Sequence, residues 1–295
     1  MSMKLVLVGL LLALPVWADM SKEEREAYQS WYDANAAEDW PKATEAAKVY
    51  RDSFPKGEYA EYLGKWEHGL RFQFFADAVK AKNTDEMIKR GSDVLADDAG
   101  NLDVIYAIAT SLRVNELWAK PPVMKHAGEA AAFTLKAAEL IEAGKIPSNV
   151  EKDKWDKNAA LGALYQTLAM IEKANKNTDK AIEYYNKAAA AEPSDPNHAL
   201  SSGILSYLKY QEAARKYREL MKDEVNKDKP ETKAAKDEAD KRADAAIASY
   251  AEYLKVSAGN AALAEQRAKV EKGLADAKKF RQPETPATPP ASTPP

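Results

Sequence analysis

One tetrapeptide, KNTD, occurs twice in this chain, at Lys82 to Asp85 and at Lys176 to Asp179. Its surroundings, FQFFADAVKAKNTDEMI and YQTLAMIEKANKNTDKAI, align along their length once Asn175 is allowed as one extra residue. A turn that recurs with both of its flanks means a small unit used several times, which restricts the chain to repeat architectures. Thr84 and Thr178 read as helix N-caps, each followed by an Asp whose charge meets the positive end of a helix. KNTD is then the tight turn of a helical hairpin, a structural signature and not a catalytic one.

The prolines outside the two ends of the chain (Pro41, Pro55, Pro121, Pro122, Pro147, Pro193, Pro196 and Pro230) fall between apolar-periodic stretches and not inside them. Those stretches are rich in Ala, Glu, Lys and Leu, and none shows sustained alternation of β-branched residues. The pattern predicts an all-α chain with helices over 21–37, 40–53, 57–81, 84–97, 101–118, 121–144, 151–175, 178–191, 196–226, 230–256 and 260–280.

Around the second KNTD the residues Tyr165, Leu168, Ala169, Ala181, Tyr185, Ala188 and Pro193 keep a fixed spacing. Small residues let two helix axes approach, aromatic residues fill the space beside them, and each pair leaves an apolar face that only a neighbouring pair can cover. This spacing resembles the tetratricopeptide repeat, with W-x2-L-G-x2-Y, A-x3-F and P over 34 residues. Glu172 departs, standing where the family has its Tyr. The first unit keeps Ala43, Tyr50 and Pro55, and the second keeps Phe72, Phe75, Ala76 and Val94 but has Met87 and Gly91. The third starts near Leu102 with Ile105, Ile108 and Ala109, and departs at WAKPPVMKHAGEAAAF. The last runs from Pro196 to Ala246, Ile247 and Tyr250 through a long insertion. The resemblance implies a right-handed α-solenoid of about eleven helices over residues 19–281, with a long helical hairpin at about 196–256 reaching ~30 Å beyond it at ~1.5 Å per residue.

The opening MSMKLVLVGLLLALPVWADM reads as a cleavable signal peptide over residues 1–18, cut after Ala18, so the expected location is periplasmic or secreted. Its apolar run falls short of the ~20 residues that a bilayer needs, so no membrane insertion is expected after cleavage. Residues 282–295 read as a disordered Pro/Thr-rich tail, a spacer or a ligand for another protein. A formal net charge of −3 gives no electrostatic case for nucleic acid or anionic membrane. The chain has no cysteine, which removes thiolate nucleophiles and thiolate metal sites.

No catalytic motif and no phosphate loop is present. His68, His126 and His198 read as surface or groove histidines without metal-ligand spacing, and no metal or cofactor is expected. Trp66, Phe72, Phe74 and Phe75 read as interhelical core. The expectation is a non-enzymatic protein.

In the tetratricopeptide family the first helix of each pair lines a concave groove. Carried across, the groove positions are Gln73, Asp77 and Lys80, then Asp103, Tyr106, Thr110 and Arg113. Gln166, Met170 and Lys173 follow, then Asn197, Leu200, Ile204 and Tyr207. The recurrence of Gln73 and Lys80 as Gln166 and Lys173 implies a polar, partly basic ladder that binds a protein or peptide partner. The Lys-and-Asn clamp for a C-terminal carboxylate is not evident. The alternatives are a small-ligand or glycan carrier, if a pocket exists where Tyr106 and Tyr207 converge, and a hydrolase.

Overall fold

The computed structural model describes residues 20–282, so the signal segment and the tail beyond Gln282 lie outside the described residues. Eleven α-helices and no strand form among the described residues. They are α1 (Lys22–Ala36), α2 (Trp40–Ser53), α3 (Ala60–Lys80), α4 (Thr84–Leu95), α5 (Leu102–Leu112), α6 (Ala127–Glu142), α7 (Lys157–Ala174), α8 (Thr178–Ala191), α9 (Pro196–Met221), α10 (Pro230–Val256) and α11 (Ala264–Arg281). The chain divides after Ala99 into two compact units. The first holds the hairpins α1/α2 and α3/α4; the second holds α5/α6, α7/α8 and α9/α10, followed by α11.

The KNTD turn works one residue earlier than its sequence suggests. Lys82 adopts φ 55° and Lys176 φ 63°, the left-handed conformation that ends a helix. The Lys82 amide donates to Val79 O and the Asn83 amide to Ala78 O, which satisfies the last carbonyls of α3. The Asn83 side chain then accepts from the Glu86 amide at 3.2 Å, so Asn83 and not Thr84 caps α4. Asn177 stands at the same place before α8, while its amide group donates to Glu172 at 2.7 Å. Glu38 (φ 55°) and Asp39 repeat this device between α1 and α2, with Asp39 accepting from Lys42 N at 3.3 Å. One residue thus closes a helix and opens the next.

The second helix of every hairpin buries residues at the same spacing of four and three. These are Ala43, Ala47 and Tyr50 in α2, Met87, Gly91 and Val94 in α4, and Ala130, Thr134 and Ala137 in α6. Ala181, Tyr185 and Ala188 in α8 and Ala246, Tyr250 and Tyr253 in α10 complete the set. The third unit, which departs in sequence, therefore keeps the small-residue geometry. Its extra length is not helix. A π-helical turn at Arg113–Leu117 leads into an irregular segment, and α6 starts at Ala127 instead of 121. A buried pair, His126 Nδ1 with Glu116 Oε1 at 2.7 Å, holds that segment in place.

In the first unit Tyr28 stacks on Tyr59 at 4.0 Å and Trp31 meets Trp66 edge-on at 5.3 Å. Phe75 is buried and Trp66 packs against the core, as expected. Phe72 instead reaches solvent and Phe74 is half-buried between Trp40 and Arg90. Buried Glu67 is matched by both Arg51 and Arg71, and Arg71 continues to Asp97 at 2.6 Å.

The long hairpin has 26 residues in α9 and 27 in α10, against 14 in α8. Each arm exceeds the shorter helix by about a dozen residues, or ~18 Å at ~1.5 Å per residue, less than the ~30 Å reach expected. Its seam is made of small residues: Ala214, Ala239 and Ala243 are fully buried. α11 covers part of it, with Phe280 against Tyr210 (5.4 Å) and Arg281 bonded to Asp240 (2.9 Å) and Asp244 (2.7 Å).

Candidate functional site

The carried-over groove residues are all exposed or half-buried, but the structure does not leave them equally free. Gln73, Asp77 and Lys80 lie exposed on α3 in the first unit. The others belong to the second unit, where several are already engaged. The connection after α6 folds back on α5: the Ser148 amide donates to Asp103 at 2.6 Å, the Ser148 hydroxyl bonds the same carboxylate, and Trp155 packs edge-on against Tyr106 at 5.8 Å. Asp103 and Tyr106 thus hold a loop and are not open groove. Burial pushes the Tyr106 phenol up.

Arg113 is not a free cation. Its Nη2 donates to Gln166 Oε1 at 2.9 Å, and its guanidinium lies 4.2 Å over the Trp118 ring. Burial lowers its pKa, against a smaller pull from Glu192. Met170 is half-buried on α7, and Lys173 is exposed near its end. Tyr106 and Tyr207 do not converge: Tyr106 packs on Trp155, whereas Tyr207 lies between Tyr210 (5.6 Å) and Tyr250 (5.7 Å).

Two histidines contradict the surface reading. His126 and His198 are buried, and His198 lies three residues after Asp195, a carboxylate at ligand spacing. Its Nε2 faces Glu192 at 3.2 Å and Asp195 at 3.5 Å, and the three ligand atoms lie within 4.8 Å of one another. An imidazole that ligates a metal through Nε2 carries its proton on Nδ1 and needs an acceptor there. His198 Nδ1 is buried without a partner. The geometry suits a ring whose Nε2 bonds Glu192 and ties α8 to α9.

An open apolar row lies along α9. Ile204 and Leu208 are 41% and 55% exposed, and half-buried Leu200 lies one turn earlier on the same face. Next to them α9 and α11 enclose a cleft of about 860 Å³, with Tyr207 and Tyr250 among its lining residues. Two glycines shape it. A Cβ at Gly203 would stand 2.4 Å from Tyr250 Cδ1, and one at Gly273 would stand 2.9 Å from Tyr250 Cε2. The Tyr250 ring therefore fits between α9 and α11 because neither helix carries a side chain there. Tyr207 donates to Asp276 at 2.9 Å across the cleft. Sequence reasoning reached Leu200, Ile204 and Tyr207 through the repeat register. It missed Leu208 and the α11 side, which has no partner helix in the repeat pattern.

No family model matches the chain, and no curated protein matches it. Among solved structures, it is similar to a TPR repeats protein from Bacteroides fragilis NCTC 9343, known from a crystal structure at 1.50 Å resolution. The match has a TM-score of 0.44 and 16% identity, and it covers 88% of this chain and 100% of that one. A structural neighbour of this all-helical chain is thus a tetratricopeptide repeat protein.

Proposed function

We propose that this chain is an exported, non-enzymatic scaffold that binds a protein or peptide on the first helices of its hairpins. The observation that carries the reading is the row Leu200, Ile204 and Leu208 on α9. Large apolar side chains left in solvent along one helical face mark an interaction surface. A helix stripe at this spacing suits an apolar partner segment laid along it. The opening segment supports export, with cleavage after Ala18 and a periplasmic or secreted mature protein.

The test compares the processed protein with an Ile204→Ser/Leu208→Ser variant, both used to capture partners from the fraction in which the protein resides. Both side chains are about half exposed, so the melting temperature should fall only slightly. Captured partners should be lost from the variant. Retention of every partner would end the reading. N-terminal sequencing of the processed chain should begin at Asp19.

A further inference from the structure

We infer that the cleft between α9 and α11 receives an acidic, apolar-interleaved peptide segment of the partner; this rests on the scaffold reading and names the partner's chemistry. The cleft is lined by four cations, Arg215 and Arg218 from α9 and Lys269 and Lys272 from α11, against two carboxylates, Glu212 and Asp276. Asp276 already accepts the Tyr207 hydroxyl. Lys269 pairs with Glu265 at 2.7 Å, both largely solvated. Arg215, Arg218 and Lys272 have no ion-pair partner among the described residues.

This excess is local and runs against the chain, whose net charge is −3. An adjoining cleft on the same hairpin, which shares Glu212 and Arg215 with the first, makes the contrast. Its volume is about 670 Å³, and it is lined by four cations and four carboxylates, so its charge is balanced. A concave site of one sign concentrates ligands of the other. The tyrosine floor and Leu208 at the rim supply apolar contact beside the cations. Carboxylates alternating with apolar side chains match that lining, with guanidinium–carboxylate pairs setting the register.

The experiment measures fluorescence anisotropy of a labelled peptide of alternating Glu and Leu with the processed protein. Gln–Leu and Lys–Leu peptides serve as counterparts. The Glu–Leu peptide should bind more tightly than either, and added salt should weaken it. Replacing Arg215, Arg218 and Lys272 together by Ala should weaken it about tenfold or more. Replacing Lys209 and Lys216, in the balanced cleft, should not. Circular dichroism checks that each variant keeps its helices.

Equal binding of the Gln–Leu peptide, or unchanged binding by the triple variant, would overturn the inference. So would displacement by a single-stranded oligonucleotide at comparable concentration, which would make the cleft a phosphate-backbone site. The two readings fail separately. Partner capture lost in the Ile204→Ser/Leu208→Ser variant but retained by the triple variant sinks only the acidic-segment inference. Capture retained by both sinks the scaffold reading as well.

Discussion

Arg113 and Gln166, one just beyond α5 and the other on α7, hydrogen-bond to each other at 2.9 Å. Two positions that sequence alignment assigns to a partner are therefore already joined within the second unit. Arg113→Ala should destabilise the protein by about 1–2 kcal/mol, from the lost bond and the lost contact with Trp118. Lys80→Ala and Lys173→Ala remove exposed charges and should change stability by less than ~0.5 kcal/mol. Urea unfolding of the three variants separates them, and equal midpoints would show that the Arg113 bond contributes nothing.

Glycine to alanine in a helix usually stabilises by up to ~1 kcal/mol. A Cβ added at Gly69 would meet nothing within 4 Å, so Gly69→Ala should follow that rule. Gly203→Ala should do the reverse and cost about 1–3 kcal/mol, because its Cβ would stand 2.4 Å from Tyr250. Thermal melts of both variants test the sign, and stabilisation by Gly203→Ala would remove the account of the α9–α11 spacing.

Asp179, in the second KNTD, bonds Arg242 of α10 and lies 3.9 Å from Lys209 of α9. The hydrogen bond from Arg242 holds its carboxyl below the usual carboxylate range. A lowered folded-state pKa means stability that is present at neutral pH and lost as pH falls from about 4 through the lower native value. The carboxylate is mostly solvated, so Asp179→Asn should lower the melting midpoint by only ~1–2 °C at pH 7. The difference from wild type should vanish in strong acid; a constant difference down to that limit would contradict the assignment.

Burial pushes the phenols of Tyr210 and Tyr250 up to about 12. For a raised pKa the sign is opposite: the stabilisation is complete below the unfolded value of about 10 and is lost as pH rises through the native one. Helicity of the second unit should fall between about pH 10 and 12, together with the appearance of tyrosinate absorbance. Tyr210→Phe should move that transition to higher pH. An unmoved transition would place the titrating group elsewhere.

Lys82 and Lys176 hold a left-handed backbone that costs a non-glycine residue about 1 kcal/mol. Lys82→Gly and Lys176→Gly should each stabilise by about 0.5–1 kcal/mol. Chemical denaturation measures it, and a loss of stability would mean that the lysine side chains matter more than the strain.

The helices were legible because prolines and polar caps mark their ends and small residues recur at fixed spacing. The cap itself was misplaced by one residue. Thr84 and Thr178 look like better caps than they are, since the preceding asparagine must first end the previous helix. The groove was legible only in part. Nothing periodic announces that Ser148 and Trp155 return onto Asp103 and Tyr106, because that loop is held by single side-chain contacts. Buried His126 was likewise hidden, because its partner Glu116 lies ten residues away through irregular chain. His198 had a partner at helical spacing in Asp195, but its nearer contact, Glu192, lies six residues away.

The shared turn also decides where this chain can grow. With one residue ending a helix and starting the next, as at Asp39, Asn83 and Asn177, a single added residue would disrupt two helix ends at once. The hairpins α5/α6 and α9/α10 lack that turn, joining instead through residues 113–126 and 222–229. These are the two units that exceed the repeat length. Extra sequence enters where that turn is absent, as irregular chain in α5/α6 and as longer helices in α9/α10, while the three tight hairpins keep their length.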